Sequence, residues 1–184
     1  MLIEDTALEG VKIITPKKFG DARGFFSETY NEASFRKAGL DYSFVQDNHS
    51  LSAQPGTIRG LHFQKRPKAQ DKLVRVVRGA VLDVAVDLRR DSKTFGQHVA
   101  VELSATNWRQ LLVPIGFAHA FCTLEPDTEF LYKVTDYYSA ADEGGVAWDD
   151  PDLGIAWPFK PEQVTLSDRD RLWPRLRDLD YRFE

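Results

Sequence analysis

The stretch that most constrains the fold is AVLDVAVDL, residues 80–88, where apolar side chains occupy every even position and Asp83 and Asp87 share the other face. A period of two belongs to extended chain, whose successive side chains point to opposite faces; a helix would scatter this pattern around its surface. The Val-rich run 72–78 precedes it and ends at Gly79. That junction predicts a turn joining two antiparallel strands. Further β-rich runs fall at 98–103, 110–113, 119–124 and 130–137. Turn signals separate them at Asp91-Ser92, at 114–116, at Glu125-Pro126-Asp127 and at Glu143-Gly144-Gly145. Strands at that spacing predict an all-β sandwich or barrel. One short helix is expected over 31–38, with Asn31 as its N-cap and Gly39 ending it. Residues 167–184 are too charged, and too interrupted by Pro174, to assign.

At 184 residues with 42% hydrophobic content, the chain can bury one core, and no repeat, low-complexity tract or linker divides it. A single domain, 1–184, is expected. Acidic residues precede any apolar run, and no run of about 18 uncharged apolar residues occurs, so neither a signal peptide nor a membrane span is expected. The one cysteine, Cys122, cannot form an intrachain disulfide. A cytoplasmic location is the consequent expectation. A net charge of −4, with cations scattered among acids, argues against a nucleic-acid face but leaves room for a small anionic ligand.

Of the four histidines, at 49, 62, 98 and 119, two keep unusual company. His62 follows a Pro/Gly turn in RGLHFQ, and His119 closes the turn PIGFAH. Each reads as a histidine near the start of a strand, a position that aims into the mouth of a small barrel. A lone histidine is more often a hydrogen-bonded core or surface imidazole; two at comparable junctions favour function. Metal binding needs three or four converging ligands, commonly beginning with an HxH pair, but the residue two after His62 is Gln64. A metal-free general base is the better reading, with a carboxylate partner that spacing alone does not identify. Tyr132 shares a strand face with Phe130 and Val134 and reads either as a core aromatic or as an acid. Lys72 opens an apolar strand and is either a buried oxyanion stabiliser or a snorkelling surface lysine. Arg23 and Arg59 each adjoin a glycine, which suits phosphate recognition and equally suits solvent.

Taken together, FGDARGFFSE at 19–28, FVQDNHS at 44–50, IRGLHFQ at 58–64, KLVR at 72–75, DVAVD at 83–87, PIGFAH at 114–119, FLYK at 130–133, YYS at 137–139 and LSDRD at 166–170 resemble the dTDP-4-dehydrorhamnose 3,5-epimerase family. That family is a metal-free branch of the cupins, and the matches run in family order over about residues 10–170. The resemblance implies a cupin-type jelly-roll β-barrel with a few short helices. It also implies epimerisation at C3 and C5 of a dTDP-4-keto-6-deoxy sugar, without a redox or metal cofactor. His62 would be the base, Asp170 its orienting carboxylate, Tyr132 the acid and Lys72 the stabiliser of the enolate. His119 would contact the sugar or support the base. Arg23, Glu28, Gln46, Asn48, Arg59, Glu143 and Arg169 would hold the nucleotide, with Tyr138 stacked on thymine. Several members carry Lys where this chain has Arg169, which keeps the charge and changes the contact geometry. The tail after Asp170 matches nothing in the family pattern, and a homodimer is implied. The competing readings are an epimerase acting at C3 or C5 alone, a ketoisomerase on a related barrel, a noncatalytic sugar-nucleotide binder and a metal-dependent cupin oxygenase.

Overall fold

The computed structural model describes residues 1–183. Thirteen strands follow one another: β1 (Leu2–Asp5), β2 (Lys12–Thr15), β3 (Phe19–Asp21), β4 (Gly24–Phe26), β5 (Gln46–Ser52), β6 (Ile58–Gln64), β7 (Lys72–Arg78), β8 (Ala80–Asp87), β9 (His98–Ser104), β10 (Gln110–Val113), β11 (Phe117–Thr123), β12 (Thr128–Val134) and β13 (Glu143–Gly145). One sheet has the order β1-β2-β10-β7-β12-β5, the other β13-β6-β11-β8-β9, and β3 and β4 form a separate hairpin. The two large sheets face each other as a jelly-roll sandwich, the class the sequence predicted.

The helix α1 (Glu32–Lys37) lies where expected: the Asn31 side chain accepts from the Ser34 amide at 3.0 Å, and Gly39 takes a left-handed φ of +81° just beyond its end.

Three apolar clusters explain the alternation. Val74, Val76, Val81, Ala85, Leu111, Phe117, Phe121 and Phe130 come from both sheets and fill the space between them. Leu61, Phe63, Val84, Val86, Ala118 and Ala120 point out of the five-stranded sheet, where Trp157, Leu176, Tyr181 and Phe183 of the C-terminal segment cover them. Leu73, Leu112 and Ile14 point out of the six-stranded sheet onto Phe35 of α1 and Leu40. Both faces of β8 are therefore covered, and Asp83 and Asp87 are fully buried.

Three expectations change. The turn at Gly79 does not join paired strands: β7 pairs with β10 and β12, while β8 pairs with β11 and β9 in the opposite sheet. Gly79, at φ +75°, turns the chain from one sheet to the other, and a Cβ there would sit 2.3 Å from Thr128 Oγ1. Nor does His62 stand near the start of a strand; it is the fifth residue of β6. The run assigned to 130–137 ends at Val134, and the tail folds as turns with a short 3-10 helix at Leu176–Asp178.

Candidate active site

Strand alternation assembles the site. With Leu61 and Phe63 outside, His62 points between the sheets; so do His119 between Ala118 and Ala120, Lys72 before Leu73, and Tyr132 beside Phe130. These four, with Arg59, Arg169 and Asp170, line one cavity of about 680 Å³, a volume suited to a nucleotide-sized ligand.

Arg59 reaches that cavity through a bulge. In an unbroken strand, residues three apart face opposite ways, so Arg59 would point away from His62. The pairing of β6 with β11 shifts instead, from His62 opposite His119 to Arg59 opposite Phe121, leaving one extra residue on β6. Gly60 carries that bulge at φ +133°, and a Cβ there would lie 2.4 Å from the Cβ of Ala120. The Arg59 guanidinium then donates to Ser52 Oγ at 3.2 Å and the Leu51 carbonyl at 3.1 Å.

Each inward histidine is held by its own carboxylate. His62 Nε2 lies 2.6 Å from Asp170 Oδ1, and Asp170 is 4% exposed. Burial works to raise the Asp170 carboxyl, but hydrogen bonds from His62, Ser167 and Trp173, with the attraction of His62, hold it below its ordinary value. An ionised carboxylate there makes Nε2 the protonated ring nitrogen and leaves Nδ1 to act as a base. His119 Nε2 lies 2.9 and 3.0 Å from the two oxygens of the fully buried Asp83.

Among the residues lining the cavity, Lys72 is the one most altered by its surroundings. Its Nζ donates to the His62 carbonyl at 3.3 Å, and burial lowers its pKa to about 8, offset in part by the charge of Asp83. An ammonium this poorly solvated gains most from a negative charge that develops beside it. Burial raises the Tyr132 phenol, with the Tyr138 phenol adding to the rise and Arg59 opposing it. Tyr132 therefore stays protonated through neutral pH and can give up a proton to a strong base.

A chain of polar contacts runs outward from Arg169 at the cavity wall. Arg169 pairs with Glu143, which also accepts from the Tyr138 hydroxyl at 2.8 Å. The Tyr138 amide donates to Gln46 Oε1 at 3.1 Å, and the Gln46 side chain donates to Asn48 at 2.9 Å. Two residues assigned to the nucleotide lie elsewhere in the chain. Arg23 sits on the exposed β3–β4 hairpin, bound to Asp21, and Glu28 accepts from Asn31 in a separate hollow beside α1. The hairpin pairs with neither large sheet, and neither residue is among those lining the cavity.

A family model described as dTDP-4-dehydrorhamnose 3,5-epimerase matches residues 5–178. The chain belongs to the dTDP-4-dehydrorhamnose 3,5-epimerase family. It is 53% identical over 184 residues to the dTDP-4-dehydrorhamnose 3,5-epimerase of Sinorhizobium fredii, covering 100% of this chain and 94% of that one. The Bacillus anthracis enzyme of that name, solved with TDP and PPi bound, superposes with a TM-score of 0.91 at 54% identity over 95% of this chain and 98% of its own. A dTDP-6-deoxy-D-glucose-3,5-epimerase from Legionella pneumophila, solved with dTDP-4-keto-L-rhamnose, gives 0.93 at 44% identity, covering 100% of this chain and 98% of its own.

Sequence reasoning left one residue of this epimerase-family site without a role. Asp83 anchors His119 and acts on Lys72 from β8. The signal was present: Asp83 shares a strand face with Val81 and Ala85, and a carboxylate among such neighbours needs a buried partner.

Proposed function

We propose that this chain, as a single domain, converts dTDP-4-dehydro-6-deoxy-glucose to dTDP-4-dehydro-L-rhamnose by inverting C3 and C5. The observation that carries the reading is the 2.6 Å contact of His62 with Asp170 inside the cavity that Lys72 and Tyr132 also line. The C4 ketone acidifies the C–H bonds on either side of it. His62 Nδ1 takes one of those protons, the electron pair moves onto the C4 oxygen, and the Lys72 ammonium stabilises the resulting enolate. Tyr132 returns a proton to the opposite face of the carbon, inverting it. Once solvent has taken the proton from His62 and returned one to Tyr132, the same sequence at the second carbon completes the reaction. Proton transfer of this kind needs no redox or metal partner.

Arg59 and Arg169 meet the diphosphate, Tyr138 offers an exposed ring to thymine, and Gln46, Asn48 and Glu143 supply directional contacts. Arg23 and Glu28 reach a nucleotide only across a subunit boundary, which supports a homodimer. Phe19, Phe25 and Phe26 on that hairpin are 51%, 57% and 70% exposed, an apolar surface that a second copy would cover. A cytoplasmic location without membrane or nucleic-acid partners accompanies this reading. It is supported by the buried lone thiol and the net charge of −4, and among the described residues no helix is long and apolar enough to cross a membrane.

The test is turnover of dTDP-4-keto-6-deoxyglucose in D2O, read by NMR. Deuterium at both C3 and C5 is the expected result. Label at one carbon reassigns the chain to single-centre epimerases, and binding without exchange makes it a noncatalytic module.

A further inference from the structure

The C-terminal segment, which covers the outer face of the five-stranded sheet, also sends one side chain back to the base. Trp173 Nε1 donates to Asp170 Oδ1 at 3.4 Å, the same oxygen that His62 Nε2 contacts at 2.6 Å. The indole meets the imidazole edge-on, ring centres 6.0 Å apart at 71°. Its ring lies flat on Gly145, which is paired directly with His62 across β13 and β6. A Cβ at Gly145 would stand 2.4 to 2.7 Å from Cδ2, Cε2 and Cγ of that indole, so the glycine is the seat of the ring. The chain beyond the tryptophan is anchored independently: the Pro174 carbonyl accepts from the Ala147 amide at 2.8 Å, and the Leu176 amide donates to Asp150 at 2.6 Å.

We propose that Trp173 is a positioning residue for the base: its N–H shares Asp170 Oδ1 with His62, and its ring on Gly145 shields the back of that pair from water. A carboxylate that receives a second hydrogen bond is a weaker base and holds the His62 proton less tightly. Trp173 is one of the donors that hold the Asp170 carboxyl below its ordinary value. Removing its N–H strengthens the pull of Asp170 on His62, favours the imidazolium, and so requires a higher pH before His62 is free to accept a proton. The other ionisable groups around His62 are Arg59 on its own strand, Lys72 from β7, the His119–Asp83 pair from β11 and β8, Tyr132 from β12, and Glu143 with Arg169 at the rim. All of them are kept in a Trp173→Phe variant.

This inference rests on the assignment of His62 and Asp170 as base and partner. The experiment compares Trp173→Phe with the unaltered protein in two measurements: titration of the His62 ring C–H signal by NMR, and kcat/KM across pH. The expected result is an upward move of the His62 titration by about half a pH unit, with the acidic limb of kcat/KM following it. That amounts to a loss of about threefold well below the limb, little change at the optimum, and an unchanged KM. Gly145→Ala, which lifts the ring from the other side, is expected to move the titration the same way, and the double variant to add little. A merely structural tryptophan would lower activity equally at every pH; that outcome, or a His62 titration that coincides with the unaltered protein in both variants, overturns the proposal. Failure of the underlying assignment looks different: His62→Ala would then keep its turnover.

Discussion

His62 and His119 stand directly opposite each other on neighbouring antiparallel strands, and each is tied through Nε2 to a different buried carboxylate. The two pairs divide the labour of one cavity. Asp170 belongs to a solvent-accessible base, while Asp83 lies at the closed end, where its charge also reaches Lys72.

Replacing either member of the first pair should slow proton transfer strongly. His62→Ala is expected to lower kcat by about 10³-fold or more, and Asp170→Asn by about 10²-fold or more, because the amide no longer fixes the imidazole tautomer. Deuterium wash-in at C3 and C5 measures this step directly. A His62→Ala protein that exchanges both positions at the original rate would refute the assignment.

Lys72 sets the alkaline limit of activity. Since its ammonium loses its proton near pH 8, kcat/KM should fall as pH rises through that value. Lys72→Met should cost about 10²-fold or more in kcat. The same variant should be more stable at pH 7: the folded state binds the Lys72 proton less tightly than the unfolded chain does, so below pH 8 the buried charge opposes folding. A Tm higher by about 2 °C or more, read by calorimetry, is the expected sign.

Asp83 should act through its neighbours. Its negative charge raises the Lys72 pKa against the effect of burial, so Asp83→Asn should move the alkaline limb to lower pH. A loss of about tenfold in kcat/KM at pH 8, shrinking toward neutrality, distinguishes this from general damage to the barrel. A limb that stays in place would show that the two charges do not communicate.

Asp87 has a different task on the same strand. It accepts from Arg89, Ser92 and Thr94, all within 2.9 Å. Burial would raise its pKa, but these bonds prevail and hold it at about 2. A carboxyl depressed on folding stabilises the protein above its unfolded pKa, and that contribution is lost as pH falls through about 2. Asp87→Asn should cost about 2 kcal/mol at pH 7 and progressively less between pH 4 and 2, with turnover at 25 °C unchanged. Urea unfolding across that pH range reads the difference.

Alternation in the sequence was enough for the class of fold and for the inward direction of Tyr132 with Phe130, because face selection in a strand is a local, two-residue property. The cap at Asn31 and the turn at Gly116 were legible for the same reason: each depends on the conformation of a few neighbouring residues. The family pattern supplied the names of the site residues. Which strands pair is not local, and Gly79 shows the limit: its turn was visible, but whether it closed a hairpin or crossed between sheets depended on β10, β11 and β12, up to about fifty residues away.

What the sequence determined by itself was an all-β chain whose polar exceptions, Asp83, His62 and His119, lay among apolar neighbours. Tertiary structure alone decided that Asp170, 108 residues beyond His62, becomes its hydrogen-bond partner, that a bulge at Gly60 turns Arg59 inward, and that Trp173 settles on Gly145. Side-chain direction follows from the backbone of one strand, but hydrogen bonds between distant residues exist only after several strands have taken their register.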